Sequence, residues 1–193
     1  MLNRLFRFLA PSAASPSGDD EEEEPVTDHR NEAALADFVR LITRHLGEQT
    51  AEALVQEVLT SDEEPLYALR FENYGDGGIR VIIDVDWKAY DEIDWQADML
   101  LAGRGIEERW QWEMPEDRRQ RTVINALKSL ERWLQPHGLA LLHIDSGGDD
   151  YQAFFVERDL AGKAIELGVA AGLAVCSHRD FLIRQQDEDA QPG

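Results

Sequence analysis

The stretch LALLHIDSGGDDYQAFFVE, residues 139–157, decides the fold of this 193-residue chain. Its two outer parts are apolar and aromatic, which is typical of buried β-strands. Between them lies Ser146-Gly147-Gly148-Asp149-Asp150, a cluster of the residue types that form tight turns. The stretch therefore predicts a β-hairpin with strands over 139–145 and 151–157. A helix over 158–171 is expected to follow it, and then a short closing strand at 173–176.

The same order of elements occurs once more, upstream. Residues 66–72 alternate in polarity, residues 73–78 form a Gly/Asp/Asn turn cluster, and residues 81–87 are β-branched and apolar. A helix is predicted over 91–102, as one is predicted after the later hairpin. In the upstream strand we expect one core face, made of Val81, Ile83, Val85 and Trp87.

Helical spacing of apolar residues appears in three other segments. Residues 34–46 and 51–59 predict an αα-hairpin, with Gly47 between its helices. A longer helix is predicted over 115–134, with Pro115 in its first turn. The fold class is therefore α+β. We expect an N-terminal αα-hairpin and two ββα units, which form a mainly antiparallel four-stranded sheet with helices packed on one face.

Composition divides the chain into a body and two tails. Residues 1–26 are predicted to be a disordered tail that ends in an acidic linker, because they hold a Pro/Ser-rich run and then six consecutive acids. Residues 27–183 are predicted to form a single domain, and residues 184–193 a disordered acidic tail. The length and the 43% of apolar residues suit one domain with a real core.

The charge balance excludes two classes of partner. The chain has 39 acidic against 19 basic residues, a formal charge of −20. Residues 1–27 carry −4 of this charge and residues 184–193 carry −2, which leaves −14 on the body. A body of this charge does not favour binding to nucleic acid or to an anionic membrane surface. It suits a basic protein partner.

The cysteine count and the lengths of the apolar runs predict a cytoplasmic protein. Cys176 is the only cysteine, so neither an intrachain disulfide nor a cysteine-rich zinc site is expected. No apolar run is long enough to predict a transmembrane segment. The first ten residues have a helical apolar stripe flanked by Arg4 and Arg7, so they could dock on a membrane or in a protein groove, or simply fray. That stripe consists of Leu2, Leu5, Phe6 and Leu9.

Candidate binding residues lie mainly at strand ends and in turns. Asp84 and Asp86 share one face of the upstream strand, and Asp145, Asp149 and Asp150 surround the later turn. Such acids could bind a cation, but their spacing lacks the calcium-loop pattern. Asp also favours turns for local reasons. No metal and no cofactor is therefore predicted.

Four aromatic residues among charges complete the candidate binding surface. Trp95, Trp110 and Trp112 lie in charged segments, and Tyr151 directly follows the acidic turn. Aromatic side chains in such settings can anchor a protein interface. The alternative is that each tryptophan caps the core where a helix meets the sheet.

A hydrolytic site is the rival hypothesis. His143 shares a strand face with Asp145, as a general base and its orienting carboxylate would, and Asp84 and Asp86 could complete a carboxylate or metal-dependent site. The sequence has no Gly-x-Ser-x-Gly nucleophile elbow. We therefore expect that catalysis is not the role of this chain.

A family resemblance supports this view. The run from Ile144 to Val156, followed by a helix and Gly172-Leu173, resembles a family of uncharacterised bacterial domains. Val85-Asp86-Trp87-Lys88 and Asp94-Trp95 fit the same family. The resemblance covers about residues 30–180 and implies no catalytic residues.

The turn step Gly147-Gly148-Asp149-x-Tyr151 is, in addition, similar to the SUKH superfamily of toxin-immunity domains over one hairpin. The sequence thus favours a non-catalytic binding or regulatory domain of immunity-like type, with an acidic face for a cationic protein.

Overall fold

One four-stranded antiparallel sheet forms the centre of the molecule. The computed structural model describes residues 31–61, 66–71 and 80–189. The strands are β1 (Ile82–Asp86), β2 (Leu139–Asp145), β3 (Asp150–Glu157) and β4 (Ala174–Ser177), in the spatial order β1-β3-β2-β4. Each neighbouring pair is antiparallel. The predicted α+β class, the later hairpin and the closing strand are confirmed.

Seven α-helices surround this sheet within the described residues. They are α1 (Glu32–Thr43), α2 (Glu48–Thr60), α3 (Tyr67–Phe71), α4 (Ile93–Ala102), α5 (Val123–Leu134), α6 (Ala161–Ala170) and α7 (His178–Asp189). The side chain of Asn31 caps α1 by accepting a hydrogen bond from the amide of Ala34 at 3.1 Å. Arg40 of α1 binds Glu52 of α2, which ties the first two helices together.

Helices cover both faces of the sheet, so the prediction of a single covered face is wrong. Phe154 and Val175 face the core formed with α1, α2 and α6. Phe155 and Cys176, one residue later in each strand, face the core formed with α4 and α5. Because successive side chains of a strand point to opposite faces, both faces of these strands are apolar.

The upstream strand at 66–72 is also wrong. This segment contains α3 instead, with Leu66 and Leu69 buried at helical spacing. The predicted turn at 73–78 lies outside the described residues. Of the described residues in the upstream unit, only those of β1 join the sheet, and β4 supplies the fourth strand. Trp87, predicted as core, is 52% exposed just beyond the end of β1.

Two predicted element limits also differ from the structure. The helix predicted over 115–134 begins only at Val123, because the Thr122 hydroxyl caps it by accepting the amide of Asn125 at 3.2 Å. At the C-terminal end, α7 continues across the predicted start of the acidic tail, so residues 184–189 are helical. The predicted tail at 1–26 lies outside the described residues. Within the described ranges, no helix is both long and apolar enough to cross a membrane.

Candidate functional site

A cavity of about 370 Å³ opens beside the turn between β2 and β3, and we call it the acidic cavity. Its walls come from the strand ends, the turn and one face of α7. The residues that line it are Trp87, His143, Ile144, Asp145, Gly148, Asp149, Asp150, Tyr151, Gln152, Cys176, Phe181, Arg184 and Gln185.

Local hydrogen bonds fix the turn that carries the acids. The Asp145 carboxylate accepts the amide of Gly147 at 3.0 Å, and Gly147 has a φ of +71°, which glycine adopts without strain. The Ser146 hydroxyl donates to Asp150 at 2.6 Å. The amide of Trp87 donates to the carbonyl of Asp149 at 3.2 Å, which joins the end of β1 to this turn. The turn therefore presents its carboxylates from a defined backbone.

The three cavity carboxylates have different surroundings. Burial alone would raise the pKa of Asp150, but hydrogen bonds from Ser146 and Gln152 bring that pKa below its ordinary value. Asp145 forms an ion pair with Arg184 of α7 at 3.7 Å. Asp149 is exposed at the tip of the turn. Asp150 therefore stabilises the turn, whereas Asp145 and Asp149 line the cavity with fewer hydrogen bonds from other side chains.

A pair of histidines joins α7 to the sheet. The Nε2 of His143 lies 2.8 Å from the Nδ1 of His178, so one ring donates to the other. Burial lowers the pKa of His143 well below its ordinary value and lowers that of His178 to about 4. Phe181 stacks on the His143 ring with centroids 3.9 Å apart. Both imidazoles are thus neutral at pH 7.

The Nδ1 of His143 is a polar atom that the described residues leave unsatisfied. His143 is only 2% exposed, and this ring nitrogen has no hydrogen-bond partner among the described residues. A buried polar group without a partner costs free energy, so such groups are uncommon in folded proteins. His143 lines the cavity, so this unsatisfied nitrogen belongs to a residue of the cavity wall.

The remaining wall is aromatic and polar. The Tyr151 hydroxyl donates to the side-chain carbonyl of Gln185 on α7 at 2.9 Å, and the Tyr151 ring packs edge-on against Phe181. Cys176 lies directly opposite His143 in the pairing of β2 with β4. Burial raises the pKa of its thiol, which disfavours the nucleophilic thiolate.

The cavity brings together part of the residue set predicted from the sequence. His143, Asp145, Asp149, Asp150 and Tyr151 all line it.

Asp84 and Asp86 do not line the cavity, although Asp84 interacts with Asp150, which does. In the sheet pairing, His143 is opposite Ala153 and Ala153 is opposite Ile83, so His143 and Ile83 share a face. Asp84 and Asp86 therefore lie on the other face of the sheet. Asp84 contacts Arg70 at 3.4 Å there, and burial raises its pKa. The four residues of the hydrolytic hypothesis do not converge.

The three predicted tryptophan anchors also lie away from the cavity. Trp110 is buried in the core with α4 and α5, so it is not a surface anchor. Trp112 packs against the same core and meets Tyr90 edge-on. Trp95 is partly exposed, with the guanidinium of Arg80 4.8 Å from its ring centre.

Several cavity residues were not predicted as site residues. The sequence predicts Trp87 in the core, and the predicted tail at 184–193 includes the second half of α7. The spacing of Phe181, Arg184 and Gln185 is i, i+3 and i+4, which puts them on one helical face. That spacing is the sequence signal from which a shared face of these three residues could have been predicted.

No group of three or more His, Cys, Asp or Glu side chains within the described ranges is arranged to hold a metal ion. The site therefore offers carboxylates, aromatic rings and a neutral imidazole. These groups suit the recognition of a cationic molecule that donates hydrogen bonds.

Comparisons with known proteins identify the family. The chain matches no curated protein and no solved structure. Residues 34–178 match the model of a family described as Domain of unknown function (DUF6630). The match spans β1 to β4 and ends at the first residue of α7, so it includes the hairpin whose turn forms the acidic cavity. The chain belongs to the DUF6630 family of domains of unknown function.

Proposed function

We propose that this protein is a non-catalytic binding domain that engages a cationic protein partner through the acidic cavity. The observation that carries the proposal is the convergence of Asp145, Asp149 and Asp150 on one cavity beside an exposed tryptophan. Carboxylates steer a basic partner towards the site, and an aromatic ring next to them gives the interface an anchor.

The charge of the cavity supports a cationic ligand. Among the described residues that line it, Arg184 is the only Lys or Arg, against three aspartates. Arg184 and Asp145 are both about half exposed, so their ion pair contributes little to folding stability. A cation from a partner can therefore take part in these contacts at small cost to the fold.

The aromatic wall supports the same kind of ligand. The ammonium group of Lys88 already lies 4.2 Å from the ring centre of Trp87, which is a cation–π contact. The exposed ring thus attracts a basic side chain, and a cation from a partner would compete with Lys88 for it. Carboxylate and ring together favour basic side chains over neutral ones.

An immunity-type role, in which the partner is a cationic toxin, is included in this proposal. The similarity of the turn from Gly147 to Tyr151 to toxin-immunity domains motivates it. A toxin encoded next to this protein would name the partner directly, and its co-purification with the full chain would be the corresponding binding test.

The general proposal can be tested with fluorescent decalysine as a basic probe. The variant Asp145→Asn/Asp149→Asn removes two cavity charges, and the side-chain amide oxygen that it places at position 145 can still accept the Gly147 amide. Asp159→Asn/Glu166→Gln is the matched control. Its residues are exposed and lie beyond the far end of β3 and on α6, which covers the other face.

We expect the cavity variant to weaken decalysine binding about tenfold at low ionic strength and the control variant less than about threefold. Binding should also weaken as ionic strength rises towards about 0.15 M. Equal losses for both variants would contradict the proposal, because they would show only a general response to charge.

A further inference from the structure

The acidic cavity contains features that select among cationic groups. Its polar groups are of two kinds and belong to different elements: carboxylates of the turn and the buried imidazole of His143 on β2. Its aromatic surfaces come from Trp87, Tyr151 and Phe181. A ligand that uses all of them needs several N–H donors and a flat face.

The unsatisfied Nδ1 of His143 is the observation that points to a ligand independently of the acids. The imidazole is buried, lines the cavity and uses its other nitrogen for His178. If His143 donates through Nε2, its Nδ1 is a bare acceptor. A donor from outside would then complete its bonding.

A guanidinium group fits this set of acceptors better than an ammonium group. Guanidinium is planar, carries five N–H donors in a fixed arrangement and stacks on aromatic rings. An ammonium group is compact and strongly hydrated, so it loses more on entering a partly apolar cavity.

Arg184 shows that a guanidinium group can be accommodated at the mouth of the cavity. It reaches Asp145 from α7, and both side chains remain about half exposed. The pair is therefore weak enough to exchange with a competing cation.

We propose that the acidic cavity receives the guanidinium group of an arginine side chain of the partner, which replaces Arg184 at Asp145. This inference rests on the proposed function, since it names the group by which a cationic partner would be recognised. Asp149 and Trp87 would flank the incoming side chain, and the imidazole of His143 would form part of the inner wall.

The test compares fluorescent decaarginine with decalysine on the full chain, because the two probes carry the same charge. We expect decaarginine to bind about fivefold more tightly than decalysine. Asp145→Asn should reduce this ratio towards one, whereas the charge-matched control Asp159→Asn should leave it unchanged. Thermal melts of each variant show whether it is folded.

Arg184→Gln tests whether a guanidinium group of the partner replaces Arg184 at Asp145. It removes the competing guanidinium from an exposed position of α7, so we expect decaarginine affinity to rise about threefold and decalysine affinity to rise less. An equal rise for the two probes would contradict the exchange.

The outcomes separate this inference from the proposed function. If both probes bind equally and respond equally to Asp145→Asn, the proposal that the cavity selects a guanidinium group is wrong. The proposal that the domain binds a cationic partner then still stands. If neither probe binds at low ionic strength, both proposals fail.

Discussion

Helices α6 and α7 pack on opposite faces of the same edge strand, β4, and they pack very differently. On the α6 side, a Cβ at Gly168 would lie 2.9 Å from the Cβ of Val175 and closer still to one of its methyl groups. On the α7 side, His178 and Phe181 hold the helix against the sheet and leave the acidic cavity open. One side is filled by close packing, and the other retains space and polar groups.

The difference separates a side of the sheet that is packed for stability from the side that carries the proposed binding site. Cores without voids gain dispersion and hydrophobic free energy. A cavity lined by acids and a buried imidazole gives up part of that gain, which natural proteins do mainly at functional sites. The contrast between α6 and α7 therefore supports the proposal that a partner binds on the α7 side.

The largest expected effect on stability comes from adding a methyl group where α6 already contacts β4. Gly168→Ala should lower the free energy of unfolding by about 1–3 kcal/mol, because the new methyl group overlaps Val175. Gly162→Ala is the control on the same helix, where nothing lies within 4 Å of the new atom. Its effect should stay within about 0.5 kcal/mol. Urea denaturation of both variants gives the comparison, and equal effects would show that the α6 contact is not close packed.

A smaller loss in the free energy of unfolding should come from the α7 side when the pH falls. Burial holds the pKa of His178 at about 4, below its ordinary value of 6.5. Below pH 6.5 the unfolded chain therefore binds a proton that the folded chain does not. The stability that depends on neutral His178 is fully present above pH 6.5 and declines as the pH falls towards 4.

The variant His178→Gln isolates this contribution. Between about pH 7.5 and about pH 5.5 the wild-type protein should lose about 1 kcal/mol more stability than the variant, a value reduced because His178 is only half-buried. Urea denaturation at the two pH values measures the difference. The other charged groups around the start of α7 are Lys128, Asp145, Asp180 and Arg184, and they are the same in both proteins. Identical pH dependence in the two proteins would contradict a buried neutral pair at the start of α7.

The later hairpin could be predicted from the sequence because its determinants are local. Ser146, the two glycines and the following aspartates make the turn themselves, and the flanking runs are apolar enough to be strands. Four predicted residues that line the cavity, Asp145, Asp149, Asp150 and Tyr151, could be singled out for the same reason, since they lie in or beside this turn. His143 was predicted from the strand face that it shares with Asp145.

The errors come from residues whose role is set by tertiary packing. A short segment such as 66–72 fits both an alternating strand and one helical turn, and only the burial of Leu66 and Leu69 decides between them. Ile82 and Ile83 are both fully buried, because helices lie on both sides of the sheet. The contribution of α7 to the cavity depends on long-range contacts such as Tyr151 with Gln185, which no local pattern contains.

The most direct test of the central claim is a map of where a basic probe binds. Backbone amide NMR spectra of the full chain, recorded during titration with decaarginine, report each residue separately. The account predicts that the largest shift changes fall at Asp145, Gly147 to Tyr151, Trp87 and Arg184, around the acidic cavity. Shift changes spread evenly over exposed acids such as Asp159 and Glu166, with none concentrated at the turn, would contradict it.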